Sequence, residues 1–158
     1  MTFRAPFLVL LAAVLTLCLS THRLSAADVS IAGTWELNVA KSTSTTPLPK
    51  AQSRTYETAG QQEKMTMSGT DGQGKPMSAS FTATLDGKDY PYSGGPFDSI
   101  ALTVVDATTN KFVAKKGGAV VLSGVRVISA DGRTMTLDGK GTNPAGQPVE
   151  SKLVFDKK

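Results

Sequence analysis

Met77, Ala79, Phe81, Ala83 and Leu85 alternate with Ser78, Ser80, Thr82 and Thr84 through the stretch KPMSASFTATLDG. A side-chain period of two belongs to a strand, and it sets an apolar row on one face and hydroxyls on the other. The pattern recurs. GTWELNVA sets Trp35, Leu37 and Val39 against Glu36 and Asn38, and EKMTMSG sets Met65 and Met67 against Lys64 and Thr66. With SRTYETA, KDYPYS, SIALTVV, KFVAK, AVVLSGVRVIS, RTMTLDG and ESKLVF, these make ten short runs. After the leader no stretch carries apolar residues at helical spacing over three turns, so the chain reads as all-β.

What lies between the runs sets the connections. Asp86–Gly87, Asp131–Gly132, Asp138–Gly139 and Gly117–Gly118 supply residues that accept positive φ, as tight hairpins require, so neighbouring runs are expected to pair antiparallel. YPYSGGPFD reads as a longer corner, where Pro91 cannot donate to a ladder and marks an edge, bend or strand end. KSTSTTPLPKAQ has no apolar stripe and fits either an extended connection or a short helical lid. Two phrases nearly coincide: GTDGQGKPMSAS from Gly69 and GTNPAGQPVESK from Gly141. Their shared residues are turn formers and a strand-starting proline, which implies two similar hairpins or a duplicated unit. Neither phrase is a phosphate loop, because no Gly-Lys-Ser/Thr ending and no helix follow.

A meander of this length either exposes two sheet edges or closes on itself, and closure removes them. The expected fold is an antiparallel up-and-down meander closed into a barrel of about ten strands, with room inside for one small ligand rather than a water channel. A two-sheet sandwich is the alternative that the same pattern permits.

The first 27 residues have the layout of a secretory signal: Arg4, an apolar run from Phe7 to Leu19, then the small residues Ser25, Ala26 and Ala27. The best cut follows Ala27, with a cut after Ala26 close behind. Residues 1–27 are thus assigned to the signal and residues 28–158 to the barrel domain. The expected location is periplasmic or extracellular, with no membrane span after cleavage. The only cysteine, Cys18, and the only histidine, His22, leave with the signal. That excludes disulfides, thiol nucleophiles, histidine bases and Cys/His zinc sites, and no metal or cofactor is expected. The formal net charge of +4 loses the contributions of Arg4 and Arg23, which argues against a nucleic-acid partner. A monomer is expected.

The phrases GTWELNVAKST, DGKDYPYSGGPFDSIAL, VISADGRTMTLDGKGTN and GQPVESKLVFDKK resemble a group of exported bacterial lipocalin-like proteins of the calycin superfamily, over most of the mature chain. The Gly-x-Trp of the first run is the signature shared with lipocalins and fatty-acid-binding proteins. The resemblance implies a lipocalin or fatty-acid-binding-protein-like barrel, and for the arginine that covers that tryptophan Arg126 is the nearest counterpart. In fatty-acid-binding proteins a late-strand Arg and Tyr hold the ligand carboxylate; the final strands here contain no Tyr, so those residues do not carry over.

Trp35 is expected to plug the closed end as core. Met65, Met67, Met77, Phe81, Phe112, Leu153 and Phe155 are expected to face inward, while Ala79 and Ala83 in the same row leave the centre underfilled. Tyr56, Tyr90 and Tyr92 carry hydroxyls that orient a polar ligand head near the mouth, or else sit at the surface. Arg126 has two readings: if Val125 and Val127 face in, it is solvated, and if Leu122, Arg126 and Ile128 face in, it is a buried cation that needs an anion. The candidate interior site is therefore Trp35, Tyr56, Met67, Phe81, Tyr90, Tyr92, Phe112, Arg126 and Phe155, each with simple packing as its competing role.

No catalytic residue is assigned. Asp98 with Asp106, or Asp86 with Asp89, are acids near turns and a poor match for paired carboxylates flanking a bond, and no serine lies in a Gly-x-Ser-x-Gly elbow. The expected function is non-enzymatic binding of a small hydrophobic or amphipathic molecule inside the barrel. The alternative is a filled barrel acting through its loops as a protein-binding or inhibitory module. Mass spectrometry of the protein secreted by its own host should find a mature chain beginning at Asp28 or Ala27; a chain retaining Met1 would contradict the signal assignment.

Overall fold

The computed structural model describes residues 30–143 and 145–158. The expected signal segment, with Cys18 and His22, lies outside the described residues. The described chain forms eleven strands, β1 (Gly33–Leu37), β2 (Thr43–Ser44), β3 (Ala51–Ala59), β4 (Gln62–Thr70), β5 (Pro76–Thr84), β6 (Asp86–Ser93), β7 (Ser99–Val104), β8 (Thr109–Lys116), β9 (Ala119–Ile128), β10 (Thr134–Thr142) and β11 (Pro148–Lys157), with one 3₁₀ turn at Val39–Lys41.

From β3 onward each strand pairs antiparallel with the next, and β1 pairs with both β3 and β11. Trp35 stands opposite Arg54 on one side and Lys157 on the other. The ten longer strands therefore close into an all-β, antiparallel up-and-down barrel, the architecture expected from the alternation. The two-residue β2 resumes the pairing along β11, with Thr43 opposite Lys152 and Ser44 opposite Ser151. Apart from the 3₁₀ turn at its start, KSTSTTPLPKAQ is an extended connection and not a helical lid.

The two similar phrases fold into the same turn. Asp71 Oδ1 accepts from the backbone N–H of Gln73 and Lys75 at 2.9 and 2.8 Å, and Asn143 Oδ1 accepts from Ala145 and Gln147 at 3.0 and 2.9 Å. Gly74 and Gly146 supply the positive φ, at 91° and 75°, and Pro76 and Pro148 open the following strands. A short acceptor that holds two backbone donors makes the reversal without help from the core.

One expected turn is absent. Asp138–Gly139 lies in the middle of β10, and the strand runs on to Thr142. Gly139 stands opposite Gly124 of β9. A Cβ on Gly124 would come within 2.7 Å of Phe112 Cζ and would also press on the Asp138 carbonyl oxygen. A Cβ on Gly139 would meet Phe112 Cζ at 3.3 Å. The glycines are there for close approach of an aromatic ring and not for a turn.

Pairing between β5 and β6 is confined to Ser80 with Ser93 and Phe81 with Tyr92. Pro91 follows in β6 with no N–H to donate, and the β6–β7 register shifts between Asp86 and Asp89. The proline therefore sits within a strand at the loosest seam of the barrel.

Inward residues form one core that includes Trp35, Tyr56, Met65, Met67, Phe81, Leu102, Met135 and Phe155. Trp35 is fully buried and its Nε1 donates to the Ile31 carbonyl at 2.7 Å. Lys157 Nζ lies 5.0 Å from the Trp35 ring centroid and donates to the Ser30 carbonyl at 3.1 Å. Residues 30–32 and Lys157 thus close this end of the barrel. Gly124→Val should destabilise the fold by about 1–3 kcal/mol, the usual result of overpacking against a neighbour that cannot move away, as read by urea unfolding; an unchanged midpoint would contradict the ring-on-glycine packing.

Candidate functional site: the barrel interior

The barrel interior holds a cavity of about 90 Å³, partly open to solvent. Apolar side chains from most strands line it, among them Met65, Phe81, Ile100, Leu102, Phe112, Leu137 and Leu153. The small lining residues that leave the space are Ala114 and Gly139; Ala79 and Ala83, expected in that role, are buried elsewhere in the core. An apolar cavity of roughly 150 Å³ accepts benzene, so the space here suits something smaller unless side chains move.

Five of the nine residues singled out from the sequence line this cavity: Tyr56, Phe81, Tyr92, Phe112 and Arg126. Trp35, Met67 and Phe155 are buried in the core without lining it. Tyr90 is only partly buried, and its hydroxyl donates to Asp86 Oδ2 at 3.1 Å.

Arg126 takes the buried alternative. It is 4 % exposed while Val127, on the other face, is 38 % exposed. Its two Nη groups donate to the two Glu63 carboxylate oxygens, both at 2.6 Å. The guanidinium lies 5.3 Å from the Tyr56 ring centroid. With its amide turned to satisfy both neighbours, Asn110 accepts from Arg126 Nη2 at 2.6 Å and donates to the Thr109 carbonyl at 2.9 Å. Burial works against the Arg126 charge, but the Glu63 carboxylate more than offsets it, so the pKa stands above its ordinary value. The cation covering Trp35 is Lys157, not Arg126. Arg126 lies on β9, across the barrel from Glu63 on β4, and its charge is drawn to that carboxylate instead of to the tryptophan.

Several lining residues were not singled out from the sequence. Arg54 lines the cavity from β3, its Nε donating to Gln52 Oε1 at 3.0 Å and its guanidinium 5.1 Å from the Phe155 ring centroid. Parity was the missed signal: Arg54 shares its face with Tyr56, and Glu63 shares its face with Met65 and Met67. Phe97, in the corner after β6, packs edge-on against Tyr92 with centroids 5.5 Å apart, and Tyr92 in turn lies 6.0 Å from Phe81. No local period marks a loop residue of this kind. Burial pushes the Tyr92 phenol above its ordinary pKa, with the Arg54 charge pulling the other way, so the hydroxyl stays protonated near neutral pH.

The carboxylates at the turns are occupied. Asp98 Oδ2 accepts from Gly117 N at 2.6 Å, and Asp89 pairs with Lys115 at 2.7 Å. Donors hold Asp86, Asp106 and Asp131 below the ordinary carboxylate value: the Lys88 N–H, the Thr108 N–H and the Ser129 hydroxyl, respectively. A general acid needs the opposite shift. Among the described residues no group of three or more His, Cys, Asp or Glu side chains is placed to hold a metal ion, and no helix is long and apolar enough to cross a membrane.

No protein-family model and no curated relative matches the chain. Among solved structures it is similar to EF1p2_mFAP2b bound to DFHBI, at 12 % identity and a TM-score of 0.46, over 80 % of this chain and 93 % of that one. It is also similar to the redesigned β-barrel mFAP1 bound to DFHBI, at 14 % identity and a TM-score of 0.42, over 84 % of this chain and 97 % of that one.

Glu63→Gln should cost about 3–5 kcal/mol in urea unfolding, because it strands a buried cation, whereas the paired change Glu63→Met with Arg126→Met should recover most of that loss. A single variant as stable as wild type would show that the ion pair is not buried.

Proposed function

We propose that this chain is an exported, non-enzymatic barrel that binds one small hydrophobic or amphipathic molecule in its interior. The observation that carries the reading is the cavity itself, an apolar wall interrupted by a few convergent polar groups from Tyr56, Tyr92, Arg54 and Arg126. This is the usual build of a small-molecule site, where the wall supplies most of the binding and the polar groups set orientation. Export to the periplasm or beyond rests on residues 1–27, and the absence of catalysis is supported by the engagement of Asp86, Asp89, Asp98, Asp106 and Asp131 in turns and ion pairs. The modest volume favours a compact ligand over a long acyl chain.

Native mass spectrometry of protein purified from its host should show a fraction heavier than the bare chain, its excess mass released on denaturation. A small polarity-sensitive fluorophore should bind saturably and be displaced by that molecule. A bare chain that also leaves the fluorophore unbound would contradict interior binding and favour the filled barrel that acts through its loops.

A further inference from the structure

Ser42, Thr43, Ser44, Thr45 and Thr46 stand in succession ahead of Pro47 and Pro49, in the connection between β1 and β3 that the interior site does not use. Their hydroxyls are in different circumstances. Ser42 Oγ is buried, donating to the Asn38 carbonyl at 2.7 Å and accepting from Val154 N at 2.9 Å. Thr45 Oγ1 accepts from Glu150 N at 3.0 Å, and Ser44 Oγ accepts from Thr46 N at 3.1 Å. Thr43 belongs to β2, where it is paired opposite Lys152. Thr46 alone of the five is exposed, lies outside any strand and holds no backbone group with its hydroxyl, which touches only Ser44 Oγ at 3.1 Å. Thr46 and Leu48 each precede a proline, which pushes them out of the helical region, and each proline fixes its own φ, so residues 46–49 stay extended. Among the described residues none of these four forms a backbone–backbone hydrogen bond, while Thr45 N on the Glu150 carbonyl at 3.0 Å and Lys50 N on the Thr70 carbonyl at 2.9 Å hold the two ends.

We propose that Thr46 is an acceptor for O-linked glycosylation by a transferase that uses a glycosyl diphosphate donor. A transferase takes the acceptor and its neighbours into a cleft as an extended peptide, and residues 46–49 offer an exposed stretch of backbone with no ladder to break. The hydroxyls on the barrel strands cannot be presented in this way, because their backbones are already paired. Outside the strands, the Thr108 and Ser129 hydroxyls are engaged by Asp106 and Asp131. Serine and threonine clustered with proline is also the composition that carries O-linked sugars. The chain has no Asn-x-Ser/Thr triplet, so attachment through asparagine has no acceptor. In the transfer, Thr46 Oγ1 attacks the anomeric carbon of the sugar. The new C–O bond forms as the bond from that carbon to the diphosphate oxygen breaks, the diphosphate departs with its carrier, and the hydroxyl proton passes to a base of the transferase. Nothing is oxidised or reduced. The sugar stands on the outer surface, so this site is independent of binding inside the barrel.

The test is intact-mass and peptide-level mass spectrometry of the denatured full chain expressed in its own host. Part of the protein should carry an increment of one or more sugar units that survives denaturation, unlike a bound molecule, and fragmentation that keeps the sugar attached should place it on Thr46. The increment should be lost in Thr46→Val and kept in Thr43→Val and Thr46→Ser. A parallel expression without residues 2–27 separates the two sources of the donor: sugar on the full chain alone marks a lipid-linked diphosphate met during export, and sugar on both forms marks a nucleotide-linked one. A bare mass in every fraction would overturn the proposal, and so would a sugar mapped to any residue other than Thr46. The mapping of the wild-type peptide decides even if Thr46→Val fails to fold. None of these outcomes bears on the interior site, which the fluorophore titration tests separately.

Discussion

The pairing of β1 with both β3 and β11 is the constraint on which the molecule depends. Without the contacts of Trp35, Glu36 and Leu37 with Lys157, Asp156 and Phe155, the remaining strands would be an open sheet with two free edges. The inward row would then face water on one side. Closure turns a one-sided alternation into an interior, and it brings residues far apart in sequence to a single wall. The end near Trp35 is sealed by the chain entering β1 and by Lys157 at the end of β11, so the same junction that closes the sheet also plugs the barrel.

Inside, the packing is not uniformly apolar. The Arg126–Glu63 pair joins β9 to β4 across the lumen through two short hydrogen bonds. Such a pair contributes little net stability compared with a well-packed apolar substitute, but removing one member is severe. It links two strands on opposite sides of the barrel and keeps a polar patch against the cavity. Arg54 adds a second charge to the same interior without an internal anion. A barrel with one neutralised and one uncompensated arginine has a polarity of its own, apart from any occupant.

Much of this was legible in the chain. The period-two rows gave the strand faces, and Tyr56, Phe81 and Phe112 fell on the cavity because parity alone decides which side a strand residue takes. Parity was also enough for Arg54 and Glu63, but charged residues are read as solvated by default, and only closure shows that their face is the inner one. Arg126 could not be assigned from its neighbours, since Val125 and Val127 compete with Leu122 and Ile128 for the inside. Asp138–Gly139 carries the same letters as a turn, and what distinguishes it is the Phe112 ring arriving from another strand. Phe97 sits in a corner with no period to read. Local chemistry was thus legible where one strand sufficed, and illegible where the deciding partner came from across the barrel.

Hydrogen exchange of the backbone amides shared by β1 and β11 tests the closed interior most directly. In a closed barrel these amides exchange only with global unfolding, as slowly as those in the long β4–β5 ladder. Rapid exchange of Glu36, Asn38 and Asp156, whose N–H groups point across that seam, under conditions that protect β4 and β5 would mean an open sheet, and with it no enclosed site.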